Sequence, residues 1–146
     1  MKANIETHIQ ILAPIASVWN VLSDFENYPH WSEFIKQFDG IPELGKRTKV
    51  HLEAPGSMKM TMNPVFLKLA EQDEIRWKGQ LLFPGIFDGE HYFKLEAISP
   101  NITRLTQGEH FSGILIPFLK KLIYENTKQG FEAFNQALKT RVEASL

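Results

Sequence analysis

His91, Gln107 and Glu109 are the side chains of this 146-residue chain whose types and spacing best suit chemistry. Both segments that carry them alternate with period two, so the three should share one face with Phe93 and Leu105. An imidazole and a carboxylate in a dry interior can trade protons with a bound molecule, which makes them candidates for acid–base catalysis. A plainer task suits them as well. Pockets commonly hold a few convergent polar groups that orient a ligand without reacting with it, and that reading is preferred.

Other chemistries find less support. The histidines at 8, 30, 51, 91 and 110 fall in different elements and form no H-x-H or H-x-x-x-H pair, so no metal site is expected. The chain has no cysteine, which removes disulfides, thiolate nucleophiles and Cys-based zinc sites. Its serines lack a G-x-S-x-G elbow, and no G-x-G-x-x-G or P-loop is present, so no nucleotide or other cofactor is expected. With 16 basic against 17 acidic residues the net charge is -1, which disfavours nucleic acid as a partner. Lys120, Lys121, Lys128, Lys139 and Arg141 are interleaved with Glu125, Glu132 and Glu143, the pattern of a solvated helix face. Hydrophobic residues at 43% and charged residues at 23% describe a globular domain rather than a disordered tail. The longest apolar run, Ile114 to Leu119, is far short of the ~20 residues an integral span requires. The N-terminus has no apolar signal region, and a cytoplasmic location is expected.

Aromatic residues make up 12% of the chain, an excess that would serve either a well-filled core or a ring-lined ligand cavity. Two loop segments are unusually apolar. One is 82–89, with Phe83, Ile86 and Phe87; the other is 112–118, with Ile114 and Ile116. Exposed together they would form a patch of the kind that marks a binding site, and Gly85, Gly89 and Gly113 would let it bend as a gate. The same patch would serve a homodimer or a membrane surface. Met58, Met60 and Met62 alternate along one strand face, offering flexible side chains to an irregular ligand or to the core.

The elements that must position these residues follow from periodicity. Residues 3–12 alternate as a strand. Ile15, Val18, Trp19 and Leu22 form a helical stripe after Pro14, and a second short helix is expected from Asn27 to about Phe34. From Phe38 to Gly113 the pattern is nearly all strand: 46–52, 57–70 with a bend at Asn63-Pro64, 74–82, 90–98 and 102–111. Turns this short permit only antiparallel pairing. A long amphipathic helix starts near Pro117. One helix is narrower than a sheet of about seven strands, so the sheet must curl round it, which can leave a hollow between them. Trp77, Leu81, His91, Phe93, Leu105 and Phe111 from the strands should face that hollow, with Ile123, Thr127, Phe131 and Phe134 from the helix. Met60, Phe83 and Phe87 complete the candidate ligand-binding set.

The segment Ala13-Pro-Ile-Ala-Ser-Val-Trp-Asn-Val-Leu-Ser-Asp-Phe-Glu-Asn-Tyr-Pro-His-Trp31 resembles the opening of the START-like (SRPBCC) superfamily, especially its polyketide cyclase/dehydrase and lipid-transport branch. Pro14, Val18, Trp19, Asp24, Tyr28, Pro29 and Trp31 carry the likeness, and the element order extends it over 1–146 as one domain. The resemblance implies an α+β helix-grip fold: a curved antiparallel sheet of about seven strands around a long C-terminal helix, with two short helices after the first strand. It also implies a cavity for a small hydrophobic ligand such as a lipid, polyketide or quinone. Read from the residues, Trp19, Leu22, Trp31 and Phe34 are core anchors closing one end of the wrap. The expected function is binding or carriage of that ligand. The alternatives are a cyclase or dehydratase using His91, Gln107 and Glu109, and an interaction module acting through the apolar loops.

Overall fold

Strand β1 (Lys2–Ile11) pairs with the far end of the chain. A computed structural model describes residues 1–53, 59–81 and 83–146, with Leu81 described by its backbone alone. In it β1 runs antiparallel to β8 (Ile102–Ser112), from Lys2 opposite Ser112 to Ile11 opposite Thr103. Strands β5 (Val65–Ala70), β6 (Glu74–Leu81) and β7 (Phe87–Ser99) extend this sheet in the order β1-β8-β7-β6-β5, antiparallel throughout. The period-two pattern sorts the faces of β1 as expected. Ala3, Ile5, Thr7 and Ile11 are buried, whereas Asn4, Glu6 and His8 are exposed.

The architecture is the expected α+β one, with an antiparallel sheet against a long C-terminal helix, but the strands divide differently. Among the described residues eight strands form two sheets: β2 (Phe34–Phe38), β3 (Val50–Glu53) and β4 (Lys59–Met62) make a separate three-stranded sheet. The expected bend at Asn63-Pro64 is where the chain leaves one sheet for the other. Proline has no N–H to give a ladder, and the carbonyls here are taken up from the side by Thr48 N (3.1 Å, to Pro64) and Arg47 (2.8 Å, to Asn63). The Pro55-Gly56 turn, Met58 and Leu82 lie outside the described residues.

The first helix, α1 (Ile15–Leu22), follows Pro14 as expected. The second is a correction. It is a 3-10 turn over Phe25–His30, and Phe34 opens β2 instead of ending a helix. Phe34 has φ 67°, a left-handed value no helix can continue. Packing holds it there: its ring lies 5.5 Å from that of Phe131 and covers Gly130, where a Cβ would come within 2.9 Å of the ring. The C-terminal helix comprises α2 (Ile116–Lys121), a π-helical turn (Leu122–Thr127) and α3 (Lys128–Ala144). A π turn spends more residues per revolution than an α turn. It therefore keeps Ile123, Thr127 and Phe131, spaced by four, nearer one line along the sheet. No helix among the described residues is long and apolar enough to cross a membrane.

The outer face of the large sheet depends on a glycine. Tyr92 lies across Gly108, its partner in the β7–β8 pair, and donates to Glu6 Oε2 at 2.5 Å, while Arg76 sits 4.8 Å from the ring. Burial, reinforced by the Glu6 carboxylate, pushes the phenol well above its ordinary range, so it remains a donor. A Cβ on Gly108 would collide with the Tyr92 hydroxyl and stand 2.7 Å from the Ile5 carbonyl. Gly108→Ala should therefore cost ~1–3 kcal/mol and lower the melting temperature by several degrees in a calorimetric scan. An unchanged Tm would show that Tyr92 and the β1–β8 pair give way freely.

Candidate functional site

Five side chains from four elements meet on the inner face of the sheet. His91 on β7 and Glu109 on β8 are cross-strand partners, and His91 Nδ1 lies 3.1 Å from Glu109 Oε1. The other ring nitrogen, Nε2, lies 2.9 Å from Gln107 Oε1. The Gln107 amide nitrogen donates to the Phe131 carbonyl (3.2 Å) and to Asn135 Oδ1 (2.7 Å), both on α3. Asn135 Nδ2 donates to Thr7 Oγ1 (2.9 Å), and the Thr7 hydroxyl donates to the Gln107 carbonyl (3.0 Å). All five residues are buried. The chain of bonds thus runs from β7 through β8 to the helix and returns through β1.

Two backbone carbonyls set the direction of these bonds, because a carbonyl can only accept. The Phe131 carbonyl forces the Gln107 nitrogen toward the helix, and so turns Gln107 Oε1 toward His91. His91 must then carry a hydrogen on Nε2. The Gln107 carbonyl fixes the Thr7 hydroxyl in the same way, and so turns the Asn135 amide. Among the described residues no buried side-chain nitrogen or oxygen lacks a partner.

Rings pack round this chain. Trp77 stacks on His91 at 4.7 Å and 20°, and Phe93 and Phe131 each stand 4.8 Å from the imidazole. Phe93 touches Trp77 at 5.6 Å and Phe134 at 5.2 Å. Phe134 continues to Trp31 (5.4 Å) and Tyr28 (5.9 Å). Tyr28 donates to the Leu22 carbonyl at 2.6 Å, and its phenol is pushed well up by burial, then by Asp24. Trp77, Phe93, Phe131 and Phe134, expected round a hollow, are thus joined by ring contacts through one another and His91.

The remaining candidates spread along the same face. Leu105 and Ile123 are buried, Thr127 is half-buried, and Phe111 meets half-buried Phe87 at 5.5 Å. Phe83 and Met60 are exposed, at 71% and 41%. The Leu81 side chain lies outside what is described. Three of the four histidines outside this cluster have surface partners: His8 with Thr106, His51 with Asp39 and Thr61, His110 with Asn4. Sequence reasoning missed Thr7 and Asn135. Asn135 carried a signal, since it stands on the apolar helix stripe one turn after Phe131 and beside Phe134; Thr7 carried only its place on the inner face of β1.

Gln107 joins both halves of the chain, so its loss should tell. Gln107→Leu leaves His91 Nε2–H without an acceptor and Asn135 Oδ1 without its donor. At ~1–3 kcal/mol for each stranded buried group, the variant should lose about 2–5 kcal/mol in urea unfolding. A loss below ~1 kcal/mol would mean the network contributes little to holding the helix.

Comparison with known proteins agrees with this fold. The family described as polyketide cyclase/dehydrase and lipid transport matches residues 2–143. A START superfamily protein from Mycobacterium smegmatis superposes with a TM-score of 0.76 at 22% identity, covering 98% of this chain and 99% of that one. The Zhui aromatase/cyclase from Streptomyces sp. R1128 superposes at 0.76 with 14% identity, covering 98% and 94%. Norcoclaurine synthase from Thalictrum flavum does so at 0.76 with 12% identity, covering 99% and 96%. At these identities the structural likeness establishes the fold alone. Among curated proteins none matches the sequence significantly. A family match along nearly the whole chain, on a fold of two antiparallel sheets gripping a C-terminal helix, places this protein in the polyketide cyclase/dehydrase and lipid transport family.

Proposed function

We propose that this protein binds a small hydrophobic molecule between the inner face of the five-stranded sheet and the C-terminal helix, toward the end marked by Phe87, Phe111 and Glu109. One observation carries this reading. Gly79 and Gly89 face each other across the β6–β7 pair, and the nearest atoms over them are the tips of two flexible side chains. A Cβ on Gly79 would meet the Met62 methyl at 2.8 Å, and one on Gly89 would fall on the Glu109 carboxylate. The Met62 methyl can swing aside for a ligand where rings or backbone could not, and the Glu109 carboxylate, held by His91, can meet it as an acceptor. At the other end the space is taken by the ring contacts from Trp77 to Phe134. The family description, which includes lipid transport, supports the same reading.

A cyclase or dehydratase activity is the second reading, favoured by the buried His91–Glu109 pair and by aromatase/cyclases of the same fold. Ligand exchange would occur where the 83–87 segment meets the start of α2. Ile114 N donates to Gly85 O and Leu115 N to Ile86 O, both at 3.1 Å, so the two segments would move as one lid. Gly113, at φ 129°, permits this approach, because a Cβ there would strike the Ile86 carbonyl. Phe83, Ile114 and Phe118 stand exposed on the same end, at 71%, 66% and 82%, which favours a contact with a partner or membrane surface during exchange.

Native mass spectrometry of protein from its own host should show a co-purified apolar molecule, and a neutral naphthalene fluorophore should bind with one-to-one stoichiometry. Ile86→Ser/Phe87→Ser should speed release of that fluorophore several-fold in stopped flow, with Tm nearly unchanged. Absence of stoichiometric binding would overturn the reading. Equal off-rates would remove the lid and leave the loops as structural or partner-binding.

A further inference from the structure

We infer that the ligand of this site carries a neutral hydroxyl, phenolic, enolic or alcoholic, that donates to Glu109 Oε2 while its apolar body lies against the neighbouring rings. The inference rests on the ligand-binding reading above and deepens it. The argument is one of hydrogen-bond direction. The Phe131 carbonyl orients Gln107, and Gln107 claims the hydrogen on His91 Nε2. The bond between His91 Nδ1 and Glu109 Oε1 then contains one hydrogen, sited on either atom. If it sits on nitrogen, the pair is imidazolium and carboxylate. If it sits on oxygen, both groups are neutral. In either arrangement Oε2 bears no hydrogen and can only accept.

Glu109 is nine-tenths buried, yet among the described residues nothing donates to its Oε2. Among the described residues no fully buried side-chain oxygen lacks a partner, so Oε2 must reach accessible space. It lies over Gly89, where any larger residue would displace it, on the inner face beside Phe111. An acceptor held in a mostly apolar site selects a donor, because a ligand without one would strip its water and give nothing back. The charge of the pair selects which donor. Both proton arrangements have zero net charge, so nothing offsets the desolvation of an ammonium ion, whereas a neutral hydroxyl loses little.

Three probes with one ring system separate the cases: 2-naphthol, 2-methoxynaphthalene and 2-naphthylmethylamine, titrated at neutral pH by Trp fluorescence or calorimetry. By apolar surface alone the methyl ether should bind best. The inference expects naphthol to bind about tenfold tighter than the ether and tighter than the ammonium. Glu109→Met should erase that preference. Glu109→Gln should keep its direction at a few-fold, for a definite reason. With Nε2–H committed to Gln107, a neutral His91 presents a bare Nδ1, which the new amide nitrogen would satisfy, leaving the amide oxygen toward the ligand.

The comparison on the unaltered protein stands whether or not the variants fold. Equal affinities for naphthol and ether, or tightest binding of the ammonium, would overturn the inference while leaving ligand binding intact. A naphthol preference that survives in folded Glu109→Met would place hydroxyl recognition elsewhere and overturn it as well. Failure of all three probes to bind would remove the ligand-binding reading, and this inference with it.

Discussion

A single helix has to cover a sheet face wider than itself. Five strands at ~4.8 Å spacing span roughly 20 Å, whereas a helix with its side chains is ~10–12 Å across. The sheet answers by curling. Irregular register between Phe66 and Lys68 and between Ala97 and Ser99 bends two of its pairs, and closing β1 onto β8 brings both ends of the strand order to one edge. The uncovered flank is taken up by α1, the 3-10 turn and the small β2-β3-β4 sheet, which bring Phe25, Tyr28 and Phe38 into the core. Phe34 shows how tight this closure is: a left-handed residue is tolerated because its ring fits the groove that Gly130 leaves in the helix.

Apolar packing alone leaves a helix free to slide and rotate, since one aliphatic contact much resembles another. The bonds from Gln107 to the Phe131 carbonyl and to Asn135 remove that freedom, because hydrogen bonds demand direction as well as distance. Thr7 ties the same asparagine to β1. Among the described residues no fully buried side-chain nitrogen or oxygen of the chain lacks a partner, the condition under which a buried polar network specifies one arrangement rather than weakening the core.

The two ends of the interior differ in consequence. Around His91 the space is occupied by rings in contact. Toward Gly79 and Gly89 it is occupied by the ends of two side chains, the Met62 thioether and the Glu109 carboxylate. Backbone bonds from Ile114 to Gly85 and from Leu115 to Ile86 tie the 83–87 segment to the residues before α2.

The sequence by itself determined the strands of the large sheet, their antiparallel sense, the long helix and the inward face of His91, Gln107 and Glu109, because periods of 2 and 3.6 are local and survive without partners, whereas strand Phe34–Phe38 escaped it. It also determined the family, through the Pro14 to Trp31 segment. Tertiary structure decided what depends on non-local contact. Phe34 leaves the expected second helix because its ring packs on Gly130, some hundred residues away, and β4 parts from β5 because the carbonyls near Pro64 find partners at Arg47 and Thr48. Thr7 and Asn135 join the polar chain only once β1 and α3 are side by side. The direction of each bond there comes from two backbone carbonyls, at Gln107 and at Phe131, the second of which gives Glu109 Oε2 its accepting character, and a backbone group common to every residue leaves no mark in a sequence.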